Sequence, residues 1–343
     1  MIDLRSDTVT RPTASMLKAM MSAQVGDDLI DIDPTVIALQ ERIASMLGKE
    51  AAIFMPSGTM TNQIALRCHC SPGDEFLCES QSHIYNYEQG AFAQLSGLVA
   101  RTLEGSKGLL AASQLTGIRR NEDDHLVSTR LLCLENTHNR GGGKVYPLEL
   151  TEAICTQAKQ QGIACHLDGA RLWNASVAIG CTLEELSKPF DSVSVCFSKG
   201  LGAPVGSCLA GTRELVRKAR RARKLFGGGM RQCGYLAAAA LHALDHHIER
   251  LVEDHHHAAM LAESIAGIPF FQLLDPVPDT NIVIFRIEQE WGSAKDFADR
   301  CLEHGVRVMA FGPQSVRLVT HLDVTKTEIE AACKVFRQVS KMA

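Results

Sequence analysis

The sequence predicts an α/β fold: a mostly parallel sheet sandwiched by helices, with a smaller C-terminal α+β domain. Three observations carry this. Between about residues 33 and 211, short apolar runs alternate with segments of helical spacing, as in parallel sheets buried on both faces. After that region, strand-like and helical stretches intermix in a compact α+β pattern. The composition, 45% apolar and 22% charged over 343 residues, is that of an ordered globular chain. Such a length buries roughly three quarters of its unfolded surface, enough for a core without disulfide or metal staples. At about 150 residues per domain the expectation is about two domains. They are placed at 1–250, with an N-terminal arm, and 251–343.

The elements follow in order. Asp33-Pro34 opens a helix, since aspartate accepts from orphan amides and proline suits the first helical position. Ile37, Leu39, Ile43, Met46 and Leu47 keep helical spacing, and Gly48 ends the run. Residues 51–55 read as a buried strand, after which Pro56-Ser57-Gly58-Thr59 turns into the next helix. Further short apolar strands lie at 75–78, 131–134, 163–167, 192–197 and 207–210. One long helix, with room for a single interruption, is expected from about 236 to 266. Strands at 270–274, 281–287, 306–311 and 316–320 follow, with helices near 293–303 and 325–341.

Composition excludes several function classes. Lys and Arg total 35 against 39 Asp and Glu, a net charge of −4, which argues against a nucleic-acid partner. No run approaches the roughly 18 apolar residues of a membrane span. The start, Met1-Ile2-Asp3-Leu4-Arg5-Ser6-Asp7, carries charges where a signal peptide needs an apolar stretch, so a cytoplasmic protein is expected. Of the twelve cysteines, none forms a C-x-x-C pair. Cys133, Cys165, Cys196 and Cys208 sit inside apolar runs and read as buried free thiols.

Chemistry concentrates at two strand ends. An apolar strand runs into Asp168 in His166-Leu167-Asp168-Gly169-Ala170-Arg171, placing a carboxylate at the sheet edge where open α/β folds bind ligands. A second strand runs into Ser198-Lys199-Gly200. Taken singly, an aspartate there is usually a helix cap and a lysine is usually solvated. Together they offer an amine that can form a Schiff base with an aldehyde cofactor and a carboxylate that can keep a pyridine nitrogen protonated. This is the logic of pyridoxal 5'-phosphate (PLP). Ser57-Gly58-Thr59-Met60 offers a phosphate cradle at a helix N-terminus.

Three consecutive glycines in Lys224-Leu225-Phe226-Gly227-Gly228-Gly229-Met230-Arg231 permit close backbone approach, with Lys224 and Arg231 flanking them. The basic run 217–224 reads as a solvated helix face. His242 and His246, spaced i,i+4, lack a third ligand and read as structural, so no metal is expected.

Several blocks, in order along essentially the whole chain, resemble the low-specificity L-threonine aldolases. They are Ile2-Asp3-Leu4-Arg5-Ser6-Asp7-Thr8-Val9-Thr10, Glu135-Asn136-Thr137-His138-Asn139, Asp168-Gly169-Ala170-Arg171, Ser198-Lys199-Gly200, Gly227-Gly228-Gly229-Met230-Arg231-Gln232 and Arg317-Leu318-Val319-Thr320-His321. The resemblance implies the aspartate-aminotransferase-like fold (PLP fold type I), PLP itself, an amino-acid substrate and a homotetramer, a dimer of dimers. It implies that Lys199 holds PLP, that Asp168 pairs with its ring nitrogen and that His83 stacks on the ring. Gly58, Thr59 and Ser198 would face the phosphate, with Lys224 and Arg231 near it, some of these contacts crossing subunits. Ser6, Arg171 and Arg317 match the groups that hold the substrate carboxylate, Arg171 counting also among the cofactor-binding residues.

The implied reaction is retro-aldol cleavage of β-hydroxy-α-amino acids, L-threonine or L-allo-threonine giving glycine and acetaldehyde. His83 is the first choice for the base, His125 the second, and an ordered water held by either is the third. One departure stands out: Ile30-Asp31-Ile32 replaces the family's Tyr-Gly-acid run, and Trp173 stands where Phe is usual. Another fold-type I lyase, such as a β-eliminating lyase, and a PLP-binding homologue with weak aldolase activity therefore remain as alternatives.

Overall fold

The computed structural model describes residues 1–342. Its first half runs β1 (Ile2–Asp3), α1 (Ala14–Met21), α2 (Pro34–Met46), β2 (Ala51–Met55), α3 (Gly58–His69), β3 (Glu75–Glu79), α4 (His83–Asn86), α5 (Ala91–Ser96), β4 (Val99–Leu103), β5 (Thr129–Glu135), α6 (Leu148–Gln160) and β6 (Ala164–Gly169). It continues with α7 (Leu172–Ile179), α8 (Leu183–Ser187), β7 (Ser192–Cys196), β8 (Ser207–Gly211), α9 (Arg213–Leu225), α10 (Gly234–His246) and α11 (Leu251–Ala266). The last stretch holds β9 (Phe271–Leu273), β10 (Ile282–Ile287), α12 (Ala294–Glu303), β11 (Val306–Arg307), β12 (Met309–Ala310), β13 (Ser315–Val319) and α13 (Lys326–Val339).

Seven strands form the central sheet in the order β2-β8-β7-β6-β5-β3-β4. Only β8 runs against the rest, antiparallel to both β2 and β7. The apolar character of these strands has its reason in burial on both faces. On one face Leu132, Leu134, Leu167, Val193 and Val195 pack with Ile43, Trp173 and Ala239; on the other, Phe76, Cys78, Leu131 and Cys133 pack with Leu66 and Ile84. A second, four-stranded antiparallel sheet, β12-β13-β10-β9, packs under α11, α12 and α13. Its core is aromatic: Phe297 meets Phe271 and Phe285 edge-on, a geometry worth about 0.5–1.5 kcal/mol per pair beyond area burial. β1 pairs with β11, so the chain's start is stitched to this second unit. No helix among the described residues is long and apolar enough to cross a membrane.

Several local readings change. The single interruption allowed for in 236–266 falls after His246, where the chain turns and the buried His247 ring hydrogen-bonds the Leu201 carbonyl at 2.7 Å. The stretch 306–311 splits into β11 and β12, which belong to different sheets. β4, an edge strand paired only with β3, carries no apolar run and went unpredicted. The basic run on α9 is mostly solvated, yet Arg223 is fully buried, bonding the Phe54 carbonyl at 2.8 Å and the Asp28 carboxylate at 2.6 Å. All twelve cysteines are free thiols.

Candidate active site

Parallel register brings the two strand-end groups together. Asp168 lies opposite Glu135 on β5 and Ser194 on β7, so β6 and the turn after β7 deliver Asp168 and Lys199 to one sheet edge. A cavity of about 130 Å³ opens there, lined by Ser57, Gly58, Thr59 and Asn62 from α3 and the turn before it. His83, Asp168, Ala170, Cys196, Ser198 and Lys199 complete the wall. Six of the residues singled out in the sequence thus meet: Gly58, Thr59, His83, Asp168, Ser198 and Lys199. Ser57 caps α3 by accepting from the Met60 amide, leaving the free amides of that helix's first turn at the cavity. Gly58 is required by close approach, since a Cβ there would stand 2.7 Å from the Cys196 sulfur.

Asp168 is buried and accepts from Asn62 Nδ2 at 2.8 Å and from the Ala170 amide at 3.1 Å. Burial pushes its carboxyl upward, but the charges of His83 and Lys199 and the Asn62 bond outweigh that and hold it below the usual carboxylate range. His83 is fixed at both ends: its backbone amide donates to Glu135 at 2.6 Å and its Nδ1 donates to Glu88 at 3.0 Å. Burial draws the imidazole down in pKa, while the Glu88 bond and the Asp168 charge raise it, with a net rise. Glu88 also accepts from Gln63 at 2.6 Å and Asn62 at 2.9 Å. Because the carboxylate of Glu88 accepts, Nδ1 carries the proton and Nε2 is left for chemistry. Sequence reasoning missed Glu88; the signal was an acid five residues beyond His83, in the bend just past α4.

A second corner gathers positive charge. Arg171 makes a two-pronged, buried pair with Asp7, at 2.7 and 2.8 Å. Burial pushes the Asp7 carboxyl upward, but Arg171, Lys199 and Asn281 hold it far below the usual range. Arg317 is also buried and, among the described residues, has no carboxylate partner. Its Nη1 donates to Asn139 Oδ1 at 2.9 Å, its Nη2 to the Arg5 carbonyl at 3.1 Å, and its Nε is unpartnered. Burial, then the nearby Arg171 charge, pulls its pKa down to about 10. Of these two buried guanidiniums only Arg171 is paired with a carboxylate, so Arg317 keeps unused donor capacity. Ser6 sits between Arg5 and Asp7, its hydroxyl accepting from Thr8.

Three expected residues stand elsewhere in the single chain. His125 is exposed in the loop before β5, its amide bonded to Asp123. Lys224 is exposed on α9, beside Arg220 and Arg221. Arg231 is exposed and pairs with Asp27 at 3.1 Å. The His242 and His246 rings lie 4.5 Å apart, and neither joins a group of three candidate ligands among the described residues.

Comparison with known proteins places this geometry. The family model described as beta-eliminating lyase matches residues 3–290. The low specificity L-threonine aldolase of Escherichia coli (strain K12) is 44% identical over 332 residues, covering 96% of each chain. The chain belongs to the low-specificity L-threonine aldolase family. The solved threonine aldolase of Leishmania major shares the fold, with a TM-score of 0.84, 21% identity and coverage of 99% and 100% of the two chains. A solved SPT with PLP also shares the fold, at a TM-score of 0.74 and 19% identity over 99% of this chain and 87% of its own.

Within this aldolase-family chain, the divergent segment around Ile30 is tied down by its aspartates. Asp27 holds Arg231, Asp28 holds Arg223, and Asp33 accepts from the Gly234 amide at 2.8 Å. Ile30 and Ile32 themselves point outward, 79% and 55% exposed.

Proposed function

We propose that this chain performs retro-aldol cleavage of β-hydroxy-α-amino acids, turning L-threonine or L-allo-threonine into glycine and acetaldehyde with PLP as cofactor. The observation that carries this reading is the meeting of Lys199 and Asp168 at one cavity beside a helix N-terminus. The residues present fit the cofactor. Gly58 leaves a cradle that a Cβ would fill, α3 offers free amides to a phosphate, and Asp168 is held ionised. Lys199 would anchor the aldehyde, Asp168 would keep the ring nitrogen protonated and His83 would cover the ring. Gly58, Thr59 and Ser198 would hold the phosphate, with Lys224 and Arg231 reaching a phosphate across a subunit boundary. When bound, PLP supplies a sink for the electron pair released as the Cα–Cβ bond breaks.

The protein's own groups do the rest. Arg317, with Arg171 and Ser6, takes the substrate carboxylate, which supplies the carboxylate partner that Arg317 lacks. Arg171 is already braced by Asp7, so Arg317 carries the larger share of unsatisfied donor capacity. His83 Nε2 takes the proton from the β-hydroxyl, with the Glu88 carboxylate steadying the imidazolium that forms. His125 is the second candidate base, supplied if its loop approaches the cavity in the assembly. That assembly is a homotetramer, a dimer of dimers, and the protein works in the cytoplasm.

The test is to incubate purified protein with L-threonine and with L-allo-threonine and to measure products. Glycine and acetaldehyde are expected in equal amounts. A keto acid with ammonia would instead identify a β-eliminating lyase, and no product from either amino acid would contradict the aldolase reading.

A further inference from the structure

Behind Asp168 runs a chain of buried polar side chains that the reaction itself does not use. Asn62 on α3 donates from Nδ2 to Asp168 and to Glu88, which leaves its Oδ1 as an acceptor only. His166 Nε2 lies 3.2 Å from that oxygen and must therefore carry the proton. His166 Nδ1 lies 2.8 Å from Ser192 Oγ, and Ser192 Oγ lies 2.8 Å from His69 Nε2. Burial, then the proximity of His69, pushes His166 down to about 3, and burial pushes His69 down to about 4, so both rings are neutral near pH 7. A neutral His166 with its proton on Nε2 accepts at Nδ1, so Ser192 donates to it. Ser192 has one proton, so it accepts from His69. Every donor in the series points toward Asp168. Since the amide of Asn62 does not pass protons, the series acts as an aligned row of dipoles rather than a proton wire.

We propose that His69, Ser192, His166 and Asn62 form a one-way hydrogen-bond chain that lowers the basicity of Asp168, so that the proton it shares with a pyridine nitrogen stays on the ring. This rests on the PLP reading above. Hydrogen bonds to the charged form of a carboxylate lower its proton affinity, and aligned neighbours in a dry interior reinforce one another. Asn62, His166 and Ser192 are all buried. The titratable groups facing Asp168 are His83 from α4, Lys199 from the turn after β7, the neutral His166 on its own strand, His138 after β5, and the thiols of Cys133 and Cys196. Ser192 and His166 bond neither His83 nor Lys199, so changes at these two positions leave the direct partners of both groups in place. They are positioning residues: neither lines the cavity.

The experiment compares wild-type holoenzyme with Ser192→Ala, His166→Leu, His166→Gln and His69→Phe. Each apoprotein is titrated with PLP, and the visible absorbance of each holoenzyme is followed against pH. With the chain broken, Asp168 becomes more basic and draws the proton from the ring. A less positive ring then lets the nitrogen bonded to Lys199 keep its own proton to higher pH. In Ser192→Ala and His166→Leu the absorbance midpoint should rise by about half to one pH unit and the PLP dissociation constant by roughly tenfold. His69→Phe, at the far end, should shift the midpoint least, and His166→Gln, keeping a donor and an acceptor, should recover part of the loss. Unchanged midpoints in both Ser192→Ala and His166→Leu, with wild-type melting temperatures, would overturn the assignment, as would a fall in the midpoint. Wild-type protein that takes up no PLP would overturn the reading on which it rests.

Discussion

In the proposed reaction the two ring nitrogens of His83 have separate tasks, set by Glu88. Nδ1 is committed to the carboxylate at 3.0 Å and Nε2 is left to receive a proton. A base works in its neutral form, so turnover should rise with pH through the imidazole pKa, which Glu88 and Asp168 hold above its ordinary value against the opposing pull of burial. Glu88→Gln removes the carboxylate that favours imidazolium, so the acidic limb of the pH–rate profile should move to lower pH. The same change should lower kcat by about 10–100-fold, because the imidazolium formed during reaction loses its counter-charge. An unmoved acidic limb in steady-state kinetics would remove His83 from the role of base. At this scale the sequence was most and least legible. Asp168 and Lys199 could be read because each ends an apolar strand. Glu88 could not, because its meaning lies in Asn62, Gln63 and His83, which reach it from two different helices.

Among elements, α3 does the most for the site: its first turn faces the cavity, while Asn62 and Gln63 on its second turn hold both buried acids. Its approach to β7 depends on Gly58 lying against Cys196. Gly58→Ala should therefore push α3 away, weakening PLP binding by about tenfold and lowering stability by about 1–3 kcal/mol. In a Cys196→Ala background the added methyl has room, so the double variant should regain most of what the single variant loses. Equal losses in both backgrounds, measured by PLP titration and denaturant midpoints, would show that the contact does not govern the helix position. Strands buried on both faces were legible as apolar runs, and α2 was legible through Asp33, which caps it as expected. β4 was not, because an edge strand with partly exposed residues needs no apolar run. The position of the turn between α10 and α11 was not, because the turn contains neither Gly nor Pro and is set by His247 turning onto Leu201.

For the whole molecule, we propose a division near residue 250, with the first residues crossing over to pair β1 with β11. The two sheets meet at the corner that holds Arg171 and Arg317. Arg140, from the segment after β5, donates to the Phe311 carbonyl at 3.0 Å and lies 4.2 Å from the Phe311 ring centroid. Arg317 lies 4.7 Å from the same centroid, so one ring is flanked by two guanidiniums. Phe311→Ala removes the face on which Arg317 rests. At about 0.5–2 kcal/mol for such contacts, KM for the amino acid should rise roughly threefold to thirtyfold with kcat nearly unchanged. A fall in kcat at constant KM would place Phe311 elsewhere in the account.

In the proposed reaction one lysine, Lys199 on the sheet edge beside Asp168, carries the cofactor. Reduction of PLP-loaded protein with borohydride followed by peptide mapping tests it directly. The label should fall on Lys199, and Lys199→Ala should lose both the trapped adduct and the yellow absorbance. A stable adduct on any other lysine, with Lys199 unlabelled, would contradict the account.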